Sequence, residues 1–295
     1  MKAGSRLAAL DPAALPAAAA DALIEELRRV HRHWLDGLAL PGEEEVGREG
    51  LVEYHAGLVY AVLALDRRDA DRALIPAAGT SGAVADRVAR LGDAAVPGLL
   101  EMMDRDFDRA GALAALGRMW AMADAGEIHL SAESRGVILH RILSAATGDE
   151  AADWFGVTRA VRATRDPAFL PFARRFESKA EAARDIALGS ARRTLQILET
   201  VAANQSPAGL ARGTYRLLAL MCADATSGPR RGACQSIQHE FDTALRHLVS
   251  GRTGPARNAF TAVIRRSDAA LHAGALTGDE HAIVADGVRT VLGRM

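Results

Sequence analysis

The chain has 295 residues, about half of them apolar and a quarter charged, which is enough to bury a substantial core and too hydrophobic for wholesale disorder. The net charge is −1, but residues 1–150 carry 16 basic against 24 acidic side chains, and residues 151–295 carry 20 against 13. Aromatic residues are 4%, which leaves little material for stacking platforms, while alanine, the strongest helix former, makes up about a fifth.

Helix-start signals recur from end to end. No stretch shows sustained period-two alternation of β-branched residues, so the sequence reads as all-α. Helices are predicted near 12–39, 43–65, 69–76, 81–91, 94–104, 107–124, 132–147, 149–165, 167–176, 179–203, 207–223, 229–249, 254–273 and 278–293. Asp11-Pro12, Asp166-Pro167 and Ser206-Pro207 each place an N-cap residue before a proline at the first helical position, where the missing N–H costs nothing. Ser178-Lys-Ala-Glu181 and Thr277-Gly-Asp-Glu280 fit the capping box. The connections are short and rich in Gly, Asp, Ser and Pro, which makes neighbouring helices antiparallel. No segment reaches the ~18 apolar residues of a membrane helix. The run Ala13 to Ala20 is mostly alanine, is interrupted by Pro16, and lacks the flanks of an export signal. The expectation is a cytoplasmic protein without membrane contact, or an exported one if the start omits a signal.

Three segments share an apolar-Pro pattern near a helix start: Ala73-Leu-Ile-Pro76, Ala94-Ala-Val-Pro97 and Ala168-Phe-Leu-Pro171. The middle one continues as Val96-Pro-Gly-Leu-Leu-Glu-Met-Met-Asp-Arg-Asp106 and then Arg109-Ala-Gly-Ala-Leu-Ala-Ala-Leu-Gly117. Unit starts near 94, 134 and 167 lie 33–40 residues apart, a helical-repeat period. These features resemble a HEAT repeat, over roughly 70–203. The resemblance implies an α-solenoid of stacked antiparallel hairpins, a fold that mostly binds other macromolecules and sometimes carries catalytic sites. Stacking buries apolar faces too large to leave wet, and Gly111, Ala112, Ala115 and Gly117 allow close helix approach. Further on, Arg246-His-Leu-Val-Ser-Gly251 and Leu271-His-Ala-Gly-Ala-Leu-Thr-Gly278 each end one helix at Gly and begin another. The stretch Phe241 to Leu292 resembles the small FIMAH-type helical domains of bacterial surface proteins, which are usually extracellular. The expected organisation is a HEAT-like domain at 1–203 and a C-terminal helical bundle at 204–295.

Residues that can carry chemistry are few. Cys222 and Cys234 lie six positions either side of Gly228. An antiparallel hairpin turning there sets them at one level, and the spacing allows either a disulfide or two buried thiols in a reducing compartment. His31 and His33 fall on opposite faces of a helix, a poor metal geometry, and the acids Glu43, Glu44 and Glu45 are explained by the helix dipole, so no metal or cofactor is expected. His239-Glu240 begins like a zinc-protease helix, but Thr243 stands where the second His belongs. No nucleophile elbow or phosphate loop is present, and no catalytic residue is assigned. Arg230, Arg231, Arg246, Arg252, Arg257, Arg265 and Arg266 fall between 229 and 266 against only Glu240 and Asp242. On one face they would bind phosphate or nucleic acid. The leading expectation is a non-enzymatic scaffold that binds a protein partner through its helical surface, with the acidic first half and basic second half available for self-association. The alternatives are nucleic-acid or phosphate binding through those arginines, and an enzyme with a small-molecule site in a concave groove near His239, Glu240 or His247.

Overall fold

The computed structural model of the chain describes residues 15–36, 43–105, 107–148, 154–183, 187–223, 225–226 and 228–295, with backbone alone at 43–49 and 183. Among them are fourteen α-helices and three 3₁₀ turns, and no strand. The class is all-α, as the sequence implies. No described helix is long and apolar enough to cross a membrane. The chain forms two compact units, Met1–Ile138 and Leu139–Met295.

In the first unit, α1 (Ala17–Leu35) and α2 (Glu43–Leu63) pair, and α3 (Arg68–Ala73) packs on both. The α1 stripe Ala20, Ile24, Leu27, Val30 and His31 is buried at helical spacing, so one face of α1 meets its neighbours. Next come α4 (Gly82–Ala89), α5 (Val96–Asp104) and α6 (Arg109–Asp124), with α6 packed against α4 and α5. Pro97 lies in the first turn of α5, where its ring is tolerated. Asp108 caps α6 from a left-handed backbone conformation, its Oδ1 accepting the Gly111 N–H at 3.1 Å. Burial pushes the Asp108 carboxyl above its ordinary pKa. At Gly111 a Cβ would stand 2.5 Å from the Cα of Gly79, so here a glycine is needed for the close approach anticipated from the small residues of this helix. The next helix, α7 (Ala132–Thr147), holds the division between the units.

The second unit contains α8 (Trp154–Thr164), α9 (Leu170–Ala183), α10 (Leu188–Ala203), α11 (Pro207–Ala223), α12 (Gly228–Val249), α13 (Thr253–His272) and α14 (Gly278–Arg294). Each of α11 to α14 packs on the next, and α14 closes onto α11, giving a four-helix cycle within the second unit. Helix α9 packs on α10 and α14, and α10 on α8. Phe241 and Phe260 meet edge to face in the bundle core, ring centroids 5.4 Å apart. Gly287 on α14 faces Thr214 on α11, where a Cβ would fall 2.7 Å from the threonine methyl.

The proline and threonine caps form. Asp166 accepts the Ala168 N–H at 3.1 Å, Ser206 accepts the Gly209 N–H at 3.1 Å, and Thr277 with Glu280 makes a complete capping box. Asp11-Pro12 lies outside the described residues. Ser178-Lys-Ala-Glu181 is not a helix start: it sits inside α9, which runs on to Ala183. The buried positions Phe172, Phe176 and Ala180 continue the apolar stripe through this point, and their packing overrides a local signal carried by exposed Ser178.

Candidate functional site

The arginines picked out from the sequence do not make one patch. Arg230, at the start of α12, is about 24 Å along the helix axis from Arg246 near its end. It is engaged internally: Nη1 donates to the Glu280 carboxylate at 3.1 Å and to the Ala275 carbonyl at 3.3 Å, and Nη2 donates to the Met221 carbonyl at 3.3 Å. Glu280 is buried, so this pair ties the start of α12 to the start of α14. Arg266 reaches back from α13 to α12, donating to Ser236 at 2.6 Å and to Glu240 at 3.3 Å. Arg231, Arg257 and Arg265 are exposed. His239 is exposed, and Glu240 is occupied by Arg266, so the His239-Glu240 dipeptide points to no shared site.

Arg246 and Arg252, by contrast, are brought together where α12 turns into α13. They line an open cavity of about 400 Å³ with Arg212, Thr243, Leu245, His247, Val249 and Ser250. Gly251 makes the turn with φ of +71°, and α13 begins immediately after Arg252. Arg246 pairs with Asp242 one helical turn back, Nε to Oδ2 3.1 Å, and also donates to Thr243 at 3.2 Å. Arg212 and Arg252 have no ion-pair partner among the described residues. Nδ1 of His247 is buried with no hydrogen bond, and Val249 is 57% exposed. The arrangement presents two uncompensated guanidiniums, hydroxyls and apolar surface to one open space, which suits a ligand combining negative charge with an apolar part. Arg212 escaped the sequence reading because it lies on α11, outside the 229–266 window. Only the return of α11 beside α12 carries it there.

Cys222 and Cys234 are joined as a disulfide, with Cα atoms 5.6 Å apart, linking the last turn of α11 to the second turn of α12.

The histidines of the first unit also meet. His31 on α1 and His55 on α2 hydrogen-bond Nε2 to Nε2 at 2.9 Å, and Trp34 lies against the His55 ring at 4.4 Å. Burial pushes His31 down to about 3, helped by His55, with the Ala73 carbonyl acting weakly the other way. Burial alone pushes His55 down to about 4. Both rings are therefore neutral near pH 7 and serve as a buried polar pair. His33 is apart from them, its Nδ1 bonded to the Arg29 carbonyl. The side chains of Glu43, Glu44 and Glu45 lie outside the described residues. Among the described residues no three His, Cys, Asp or Glu side chains converge as metal ligands.

Comparison with protein-family models, curated proteins and solved structures finds no match to the chain.

Proposed function

We propose that the chain is a non-enzymatic helical binding module, and that the cleft at the α12–α13 turn receives an acidic segment of a partner protein. The observation that carries the reading is the pair of uncompensated guanidiniums, Arg212 and Arg252, on one cavity with Leu245 and exposed Val249. Carboxylates of the partner neutralise the two arginines and an apolar neighbour covers Val249, a charged rim beside an apolar contact. In this reading the HEAT-like hairpins of 70–203 are the helical frame of the module. The excess of basic residues in 151–295 steers an acidic partner toward this half.

The test is a pull-down from native extract with the full chain as bait, washed at rising salt, with and without nuclease, beside the Arg212→Gln/Arg252→Gln variant. The wild type is expected to retain a defined protein near physiological salt, where the Debye length is about 8 Å, and the variant to lose it. Equal retention by the variant, or release by nuclease, overturns the reading.

A further inference from the structure

A second basic cluster lies elsewhere in the same unit, on α8 and α10. Arg159 and Arg162 are one turn apart on α8, and Arg193 is on α10. Helix α10 packs on α8, and the Thr194 hydroxyl donates to the Thr158 carbonyl at 3.4 Å, a contact whose chain neighbours are Arg193 on α10 and Arg159 on α8. The Arg162 guanidinium is partly buried, and burial first, then the like charges of Arg193 and Arg159, push its pKa below the ordinary arginine value. None of the three has an ion-pair partner among the described residues. One turn before Arg159, Phe155 is 44% exposed, with the Arg159 guanidinium 5.4 Å from its ring centroid. Arg192, next in sequence to Arg193, behaves differently: it pairs with Glu177 and Glu181 of α9.

A partly buried cation repelled by two others is an unfavourable arrangement in the free protein. It is relieved when an oxyanion adds negative charge beside it. An exposed aromatic ring at the edge of such a cluster adds a surface on which a nucleobase stacks, and stacking beside a basic track is how nucleotides are held without sequence readout. A polycarboxylate would use the arginines and leave Phe155 idle.

We infer that Arg159, Arg162 and Arg193 form an anion site, independent of the α12–α13 cleft, that takes the phosphate of a nucleoside phosphate, free or within a single strand, with Phe155 receiving the base.

The probes are inorganic phosphate, adenosine monophosphate and a fluorescent oligothymidylate, titrated at low salt against the full chain. Adenosine monophosphate and oligothymidylate are expected to bind more tightly than phosphate, and to raise the melting temperature by linkage. Tighter binding of the oligonucleotide than of the monophosphate identifies a strand as the source, and the reverse a free nucleotide. Arg162→Gln should weaken all three probes about tenfold, the loss of one charge-assisted contact, while melting no lower than the wild type without ligand, because a repelled cation has been removed. Phe155→Ala, at an exposed position, should weaken the nucleotide probes and leave phosphate unchanged. In the Arg212→Gln/Arg252→Gln background, which removes the free guanidiniums of the cleft, Arg162→Gln and Phe155→Ala should weaken the probes by the same factors as in the wild type, which separates this site from the cleft. The inference is overturned if Arg162→Gln binds like the wild type, if Phe155→Ala leaves nucleotide binding intact, or if polyglutamate competes as well as oligothymidylate. That last result would make the cluster a second acidic-peptide contact.

Discussion

Acid should destabilise the first unit through one pair of side chains. His31 is 2% exposed and hydrogen-bonded to His55, and burial holds the two at about 3 and about 4. In the unfolded chain each returns to about 6.5. The folded values lie below the unfolded ones, so the unfolded chain binds more protons in the window between. The stabilisation is complete above pH 6.5 and is lost as the pH falls toward 3 to 4. At pH 5 each histidine contributes a loss of about 2 kcal/mol, from roughly 1.5 pH units at about 1.4 kcal/mol each. If the pair shares one proton through its hydrogen bond, the loss is that of a single site, and if neither ring accepts one it doubles to about 4 kcal/mol. Either is a large part of the ~5–15 kcal/mol that holds a typical domain together. The assay is urea unfolding at pH 7.5, 6 and 5 for the wild type and for His31→Leu/His55→Leu, which removes both imidazoles together. The wild type should lose 2–4 kcal/mol more than the variant between pH 7.5 and 5. Parallel pH profiles for the two proteins would refute the reasoning.

Other consequences can be checked on the same material. Thiol titration of the denatured, unreduced chain should find no free cysteine, and Cys222→Ser/Cys234→Ser should cost about 3 kcal/mol for so short a loop; two titratable thiols would contradict the link between α11 and α12. Arg230→Met leaves the Glu280 carboxylate buried beside an apolar chain and should destabilise by about 3–5 kcal/mol, with Arg230→Met/Glu280→Gln recovering part of it; melting curves report this, and an unchanged midpoint would mean that the pair carries nothing. Gly287→Val forces a branched side chain into Thr214 and should cost at least 1–3 kcal/mol by overpacking, whereas Gly232→Ala, where a Cβ meets nothing within 4 Å, should be neutral or stabilising.

What the sequence discloses, and what it hides, divides by the range of the interaction. Thr277 with Glu280, Ser206 with Pro207 and Asp166 with Pro167 are local signals, complete within four residues, and each reappears as a formed cap. The Ser178 signal is equally local and fails because Phe172, Phe176 and Ala180 keep burying the same face of α9. Pairings across 50 residues leave no trace in the chain order: Asp166 with Arg216, and Arg230 with Glu280. The candidate cleft shows both sides. Arg246 and Arg252 are visible as basic residues around a glycine turn, but Arg212 joins them only through the packing of α11 on α12. The cluster at Arg159, Arg162 and Arg193 is dispersed over two helices and is seen only once α10 is laid against α8.

The most direct test of the binding reading follows the arginine Nε–Hε signals by NMR while a peptide of alternating glutamate and leucine is added to the full chain. The account predicts saturable shifts at Arg212 and Arg252, smaller ones at Arg246, which already holds Asp242, and none at Arg230 or Arg266. Shifts spread evenly over the exposed arginines, or absent at Arg212 and Arg252, would contradict it.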